Sequence, residues 1–203
     1  MKKFITTITL QHQGAEKHAY IQEGVTTPRI MTAFPILQKV RDVVSAGEQI
    51  ALVPLVVGSP QESRNYREFE QELQALAAER GFTYTLNPIC KENNEKVESM
   101  IRLFSDIICQ VSDGDQLYAC VTYGTKPMAT LTTMALHYAY RVKKQVSVEA
   151  IVYGLKNWGA ENEPVCSLYD TTALFYIDCL IDRIADMQVA DPETALRSLL
   201  GTE

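Results

Sequence analysis

The chain has 203 residues, 46% hydrophobic and 22% charged, which is room for one domain with a full core and excludes a disordered or fibrous chain. Its formal net charge of −6 argues against a partner of long DNA or RNA, whose binders carry a basic face, but leaves room for a small anion held by a few local donors. The longest apolar runs fall well short of the ~18 residues of a membrane span, and the opening stretch MKKFITTITLQHQG reads as a first strand, not a leader or anchor.

Strands and helices alternate along the chain. Residues 3–10 are rich in Ile and Thr and predict a strand, followed by a polar turn at 11–14. Residues 20–30 read as extended around Gly24, a small hairpin inserted before the first helix. Thr32 is placed to cap a helix through about Ser45, with Pro35 in its first turn and Gly47 ending it. Residues 49–57, QIALVPLVV, predict a strand buried on both faces, although Pro54 cannot donate to a ladder. Phe69, Leu73, Leu76 and Ala77 form one helical stripe that Gly81 stops, and FTYTL follows as a short strand.

The clearest amphipathic helix joins Val97, Met100, Ile101, Phe104, Ile107, Ile108 and Val111. Next come a strand over 116–122, a turn at 123–127, and a helix over 128–141 with Leu131, Met134, Ala135 and Tyr138 inward. A strand over 146–153, adjacent to 116–122, leads into a loop at 154–163. Leu174, Ile177, Leu180, Ile181 and Ile184 mark a further helix, and 192–200 a short last one. The order predicts one α/β domain over 1–203, a mainly parallel sheet with helices on both faces, and a C-terminal helical extension over 170–203.

The five cysteines, Cys90, Cys109, Cys120, Cys166 and Cys179, contain no CxxC pair, and their number and apolar neighbours predict buried free thiols in a reducing cytoplasm. His12, His18 and His137 form no HxxxH or HxH pair, so neither a metal nor another cofactor is expected. His137 reads as a packed helix residue, and His18 is given no role.

Ligands of a parallel α/β sheet bind beyond the carboxyl ends of its strands, so chemistry is sought in the turns there. The strongest signal is CVTYGTKPMATLTTMALHYAY, residues 120–140. Gly124 permits close backbone approach, the following helix start offers N–H groups, Thr122 and Thr125 add hydroxyls, and Lys126 adds a charge. That suits a phosphate, although it is not a P-loop; the competing reading is a plain turn with a solvated lysine. After the first strand, Gln11, His12, Gln13 and Gly14 are placed to meet a base or ribose, or to form a surface turn. Ser59, Ser63 and Arg64 suit either a phosphate grip or a helix cap. Tyr153 and Trp158 suit base stacking, or packing in the interior or at a subunit contact.

These motifs, in this order, resemble the CRISPR-associated Rossmann fold (CARF) family. Residues 121–128, Val-Thr-Tyr-Gly-Thr-Lys-Pro-Met, look like the CARF signature after the fourth strand, and Ala150-Ile151-Val152-Tyr153-Gly154, Pro164-Val165 and Leu168-Tyr169-Asp170-Thr171 look like its downstream part. Cys120 stands where the family branch has aspartate, and Tyr123 and Lys126 where it has histidine and arginine; lysine supplies a point charge instead of a fork. The resemblance implies a Rossmann-like domain that binds a cyclic oligoadenylate, the second messenger of type III CRISPR immunity, as a homodimer with the ligand on its two-fold axis. It implies ligand contacts at Gln11, Gln13, Thr122, Tyr123, Gly124, Thr125, Pro127, Met128, Tyr153 and Gly154.

With 203 residues a fused effector domain is not expected. Two functions then compete. The protein is a metal-independent ring nuclease of the messenger, with Lys126 and His12 catalytic, or a sensor subunit regulating a separate effector protein. A small α/β enzyme acting on nucleotides or sugar phosphates is the reading if the resemblance is accidental.

Overall fold

Runs that are apolar on both faces must lie between two layers, and such runs build the centre of this protein. The computed structural model describes residues 1–10, 16–158 and 164–201. In chain order the elements are β1 (Lys2–Thr7), β2 (His18–Ala19), β3 (Met31–Thr32), α1 (Pro35–Val43), β4 (Gln49–Val57), α2 (Arg64–Arg80), β5 (Thr83–Leu86), β6 (Ile89–Lys91) and α3 (Val97–Cys109). They continue as β7 (Gln116–Cys120), α4 (Lys126–Val142), β8 (Ser147–Trp158), β9 (Pro164–Asp170), α5 (Thr172–Asp186) and α6 (Pro192–Leu200). The main sheet has the order β5-β4-β1-β7-β8-β9, with β6 also pairing β4. Its ladders are parallel except β8–β9. The fold is therefore α/β and Rossmann-like, with helices on both faces, and β7 and β8 adjacent and parallel as expected.

Alternation along the inner strands sends side chains into two cores. Phe4, Leu52 and Val56 pack with Phe34, Leu37, Phe69 and Leu73 on the α1–α2 side. Ile5, Val53 and Leu55 pack with Leu103, Ile107, Leu136 and Phe175 on the α3–α4–α5 side. Each such side chain taken out of water contributes about 1.5–3 kcal/mol. Pro54 costs the sheet no ladder bond. Leu52 O accepts from Asn87 N and Leu55 O from Ile8 N, both at 2.9 Å, so the Pro54 nitrogen turns to the β5–β6 side. There β5 ends opposite Leu52 and β6 begins opposite Leu55, leaving a gap where no donor is required.

At the N-terminal edge of the sheet, Lys3 of β1 and Asp115 before β7 form a pair at 2.8 Å, largely out of solvent. Asp115 also accepts from Ser112 N at 2.6 Å, and the Lys3 ammonium donates to Gln110 O. The loop after α3 is thereby pinned under the β1–β7 joint.

Several sequence expectations require correction. The segment 154–163 is not all loop: β8 continues to Trp158, and β9 returns antiparallel, Val152↔Asp170 to Trp158↔Pro164, as an edge strand. The helix after Thr32 begins later and ends earlier. Phe34 is its N-cap, and the Thr32 hydroxyl instead accepts from Phe34 N at 2.9 Å and donates to Glu72 at 2.5 Å. The inserted hairpin pairs His18 with Thr32 and Ala19 with Met31, just outside the extended stretch. Met134 and Tyr138 on α4, Val97 and Ile101 on α3, and Leu174 and Ile181 on α5 face solvent; α5 buries Phe175, Cys179 and Ile184, one step round the helix. His137 is not simply packed: its ring nitrogens lie 3.1 and 3.0 Å from carboxylates of Asp178 and Asp182, tying α4 to α5.

The cysteines divide. Cys120, Cys166 and Cys179 are buried, while Cys90 and Cys109 are exposed, contrary to expectation for these two. Burial pushes the three inner thiols above their ordinary pKa, so little reactive thiolate forms. A thiol-specific colorimetric reagent should therefore modify two of the five cysteines in the native protein and the rest only on unfolding. Rapid native labelling of Cys120, mapped by mass spectrometry, is the contrary result. Among the described residues, no helix is long and apolar enough to cross a membrane.

Candidate functional site

Strand order decides where a crevice opens. From β1 the chain builds outward on one side through β4, then crosses to build on the other through β7 and β8. The connections after β1 and β7 therefore diverge, and the carboxyl ends of this pair form the switch point where α/β sheets hold ligands. Both turns singled out in the sequence leave from it. Gln11, His12, Gln13 and Gly14, after β1, lie outside the described residues. The turn after β7 is described in full.

That turn is shaped by its neighbours. Gly124 has φ +96°, a left-handed backbone that side chains rarely adopt. A Cβ there would stand 2.8 Å from Thr7 Cγ2 at the end of β1 and 3.4 Å from Met128 Sδ. The Thr122 hydroxyl accepts from Gly154 N at 2.7 Å and lies 3.1 Å from Cys120 Sγ, fastening the turn to β8. The Tyr123 hydroxyl donates to Ala33 O at 2.8 Å, fastening it to the segment before α1; burial raises the pKa of this phenol, so it remains a donor. Thr122 and Tyr123, expected as ligand contacts, spend their polar groups on positioning.

Met128 has no exposed surface and packs in the core beneath the turn. Gly154 is likewise structural, since a Cβ would stand 2.6 Å from Pro35 Cγ and 3.0 Å from Tyr20 Cε1. What the turn leaves at the surface is Gly124, Lys126 and Pro127, with Thr125 partly covered. Lys126 opens α4 and Pro127 follows it in the first turn. The first turn of any helix leaves N–H groups without intrahelical acceptors and carries the positive end of its dipole. Lys126 has no ion pair among the described residues, so charge, N–H groups and an exposed glycine share one rim. Tyr153 and Trp158 lie exposed on β8, with Lys156 Nζ 5.2 Å from the Trp158 ring centroid.

Two further features flank the turn, the first built in part from Ser59, Ser63 and Arg64, which the sequence singles out, and the second, around Lys91, which it does not. On the other flank of β1, a cleft of about 500 Å³ is lined by Thr9, Leu10, Ser59, Ser63, Arg64 and Asn93. Ser63 caps α2 by accepting from Tyr66 N at 3.2 Å, the cap reading of that residue, and Arg64 pairs with Glu68 at 2.8 Å. Between this cleft and the α4 rim runs the 92–95 loop, organised by Lys91, whose side chain is only 1% exposed. Lys91 Nζ donates to Glu92 O at 3.0 Å, to Asn94 O and to Glu95 Oε1 at 3.2 Å. Glu95 Oε2 accepts in turn from the Thr125 hydroxyl at 3.2 Å. A lysine closing the apolar run of β6 was the available signal, since a lysine is rarely buried without partners.

Among the described residues, no group of three or more His, Cys, Asp or Glu side chains is arranged to hold a metal ion. No family model matches the chain, and no curated protein matches it.

Proposed function

We propose that the protein binds a cyclic oligoadenylate over the β1–β7 switch point and opens the ring as a metal-independent nuclease. The observation that carries this reading is the turn at 122–126. It sits at the crevice of the fold, is held by Thr7, Ala33 and Gly154, and presents a helix start with an exposed glycine and lysine. The order of CARF-like motifs supports the choice of ligand.

In the reaction a ribose 2′-hydroxyl attacks the adjacent phosphorus in line. The P–O5′ bond breaks, leaving a 2′,3′-cyclic phosphate and a 5′-hydroxyl that takes up a proton. Negative charge grows on the non-bridging oxygens, where Lys126 and the first N–H groups of α4 act. His12 is assigned the proton transfer. The protein acts as a homodimer around a two-fold ligand, and the exposed apolar side chains Ile101, Met134, Tyr138 and Val142 on α3 and α4 offer surface for such an interface. Light scattering at micromolar concentration should give a dimer; a monomer with and without ligand is the opposing result.

The test is incubation with cyclic tri-, tetra- and hexa-adenylate in EDTA, followed by chromatography. Linear products with 2′,3′-cyclic phosphate ends support the nuclease. Tight binding without cleavage supports a sensor of the same ligand, acting through a separate effector. Absence of both cleavage and binding sinks both readings. Lys126→Ala should weaken binding roughly ten- to a hundred-fold, the worth of a charge-assisted contact. Unchanged binding by that variant removes Lys126 from the site.

A further inference from the structure

The Lys91 ammonium is almost wholly out of solvent, which costs stability unless each N–H finds an acceptor. Its acceptors are Glu92 O, Asn94 O and the Glu95 carboxylate, all in the loop that follows it. Two side-chain bonds tighten the same loop: Asn94 Oδ1 accepts from Lys96 N at 3.0 Å, and Asn94 Nδ2 donates to Glu92 at 2.9 Å. A core position at a strand end is filled more cheaply by an apolar residue. These bonds close the 92–95 loop on the lysine, and the Glu95 carboxylate is one of the three groups so held.

Glu95 stands where a carboxylate is unexpected if the neighbouring turn receives phosphate. Its Oε2 is 3.2 Å from the Thr125 hydroxyl, at the N-cap of α4 and one residue before Lys126. A phosphate approaching that helix start meets the Glu95 carboxylate, whose charge Lys91 offsets in part from 3.2 Å on the far oxygen, and the net repulsion grows with the charge of the phosphate. A terminal phosphate carries about −1.5 to −2 at pH 7; an internal diester carries a single charge. A ribose hydroxyl is a neutral donor that a carboxylate accepts.

We propose that Glu95, positioned by buried Lys91, makes the α4 helix start selective for phosphodiesters flanked by hydroxyls over terminal phosphates. The inference rests on the reading of the α4 turn as a phosphate site. It assigns to Glu95 the task of keeping out mononucleotides and linear oligonucleotides that carry a terminal phosphate monoester; product ends with a 5′-hydroxyl and a singly charged 2′,3′-cyclic phosphate are not excluded by it. Glu95 is a specificity residue here; it contributes to neither attack nor departure.

The test is calorimetric titration of the parent protein, Glu95→Gln and Glu95→Asp with linear tetra-adenylate, with and without a 5′-phosphate, and with inorganic pyrophosphate. Glu95 is half exposed but its partner Lys91 is not, so Glu95→Gln should melt below the parent, and binding is compared well below the melting point of all three proteins. The parent and Glu95→Asp should prefer the unphosphorylated oligomer about tenfold, and Glu95→Gln should bind the two within about threefold, by removing one like charge. Glu95→Gln should also bind pyrophosphate about tenfold more tightly than the parent. Tighter pyrophosphate binding without any oligoadenylate binding keeps the charge filter and discards the adenylate reading. An unchanged ratio of the two oligomers, or pyrophosphate binding that is equal or undetectable in all three proteins, overturns the proposal even if cyclic oligoadenylate binds.

Discussion

Asp115→Asn should destabilise the protein by about 3 kcal/mol, the cost of breaking a desolvated ion pair from one side. Asp115 is 4% exposed and Lys3 11%, so water does little to screen or replace the lost partner. The asparagine would set an amide against an ammonium left with Gln110 O, and would weaken the acceptor for Ser112 N. For a chain of this length that corresponds to a melting shift of roughly 6–12 °C. Binding at the switch point should survive in the folded fraction, because Asp115 lies at the opposite end of the strands.

The same substitution should alter the acid limb. Burial alone would raise the Asp115 carboxyl, but hydrogen bonds from Lys3 and from Ser112 N, together with the Lys3 charge, outweigh it and hold it below the ordinary aspartate value. In the unfolded chain the group titrates near pH ~3.9. A depressed folded pKa gives stability that is present above the unfolded value and lost as pH falls through the folded one. Unfolding free energy, measured in urea between pH 3 and 6, should therefore drop more steeply below about pH 4 for the parent than for Asp115→Asn. Parallel curves would show that the pair does not supply this dependence.

Gly124→Ala should cost about 3 kcal/mol. Part is backbone strain, since a side chain at φ +96° pays roughly 1–2 kcal/mol. The rest is overpacking, roughly 1–3 kcal/mol. The new Cβ would stand 2.8 Å from Thr7 Cγ2, and Thr7 is buried, β-branched and held in the β1–β4 ladder opposite Leu55. Thr7→Ser removes that methyl. In the double variant it should restore about 1 kcal/mol of the loss and leave the strain, giving a coupling energy in a double-mutant cycle. A Gly124→Ala protein within about 0.5 kcal/mol of the parent would mean that the turn relaxes freely.

Periodicity reports which face a residue shows, not which partner it meets. Residues 49–57 were legible to the residue because a strand apolar on both faces has one solution, and even Pro54 fits once β5 and β6 are seen to leave a gap. The register of α5 was not legible. Leu174, Phe175, Ile177, Cys179, Leu180 and Ile181 make that helix apolar around most of its girth, and packing on Val148 and Ile151 selects Phe175 and Cys179. β9 was hidden because an antiparallel edge strand is sheltered on one side only, and Tyr169 and Val165 stay exposed. In the turn after β7, Gly124 and Lys126 declared themselves by type. The uses of Thr122 and Tyr123 depended on Gly154 and Ala33, the latter 90 residues distant in sequence, which no local pattern records.

The β1–β7 ladder joins Lys3 to Leu117 and Thr6 to Cys120. Apart from the single bridge of Ile21 with Ser167, it is the only strand pairing, among the described residues, between the part of the chain before α3 and the part after it. Closing a loop of that length costs entropy before any contact repays it, and non-local pairing is the slow kind. Each side can organise early, β1 with β4 and β8 with β9, while the seam between them is still open. On the proposed function the site is floored by that seam, so ligand binding during refolding would follow closure of the seam and not the first collapse.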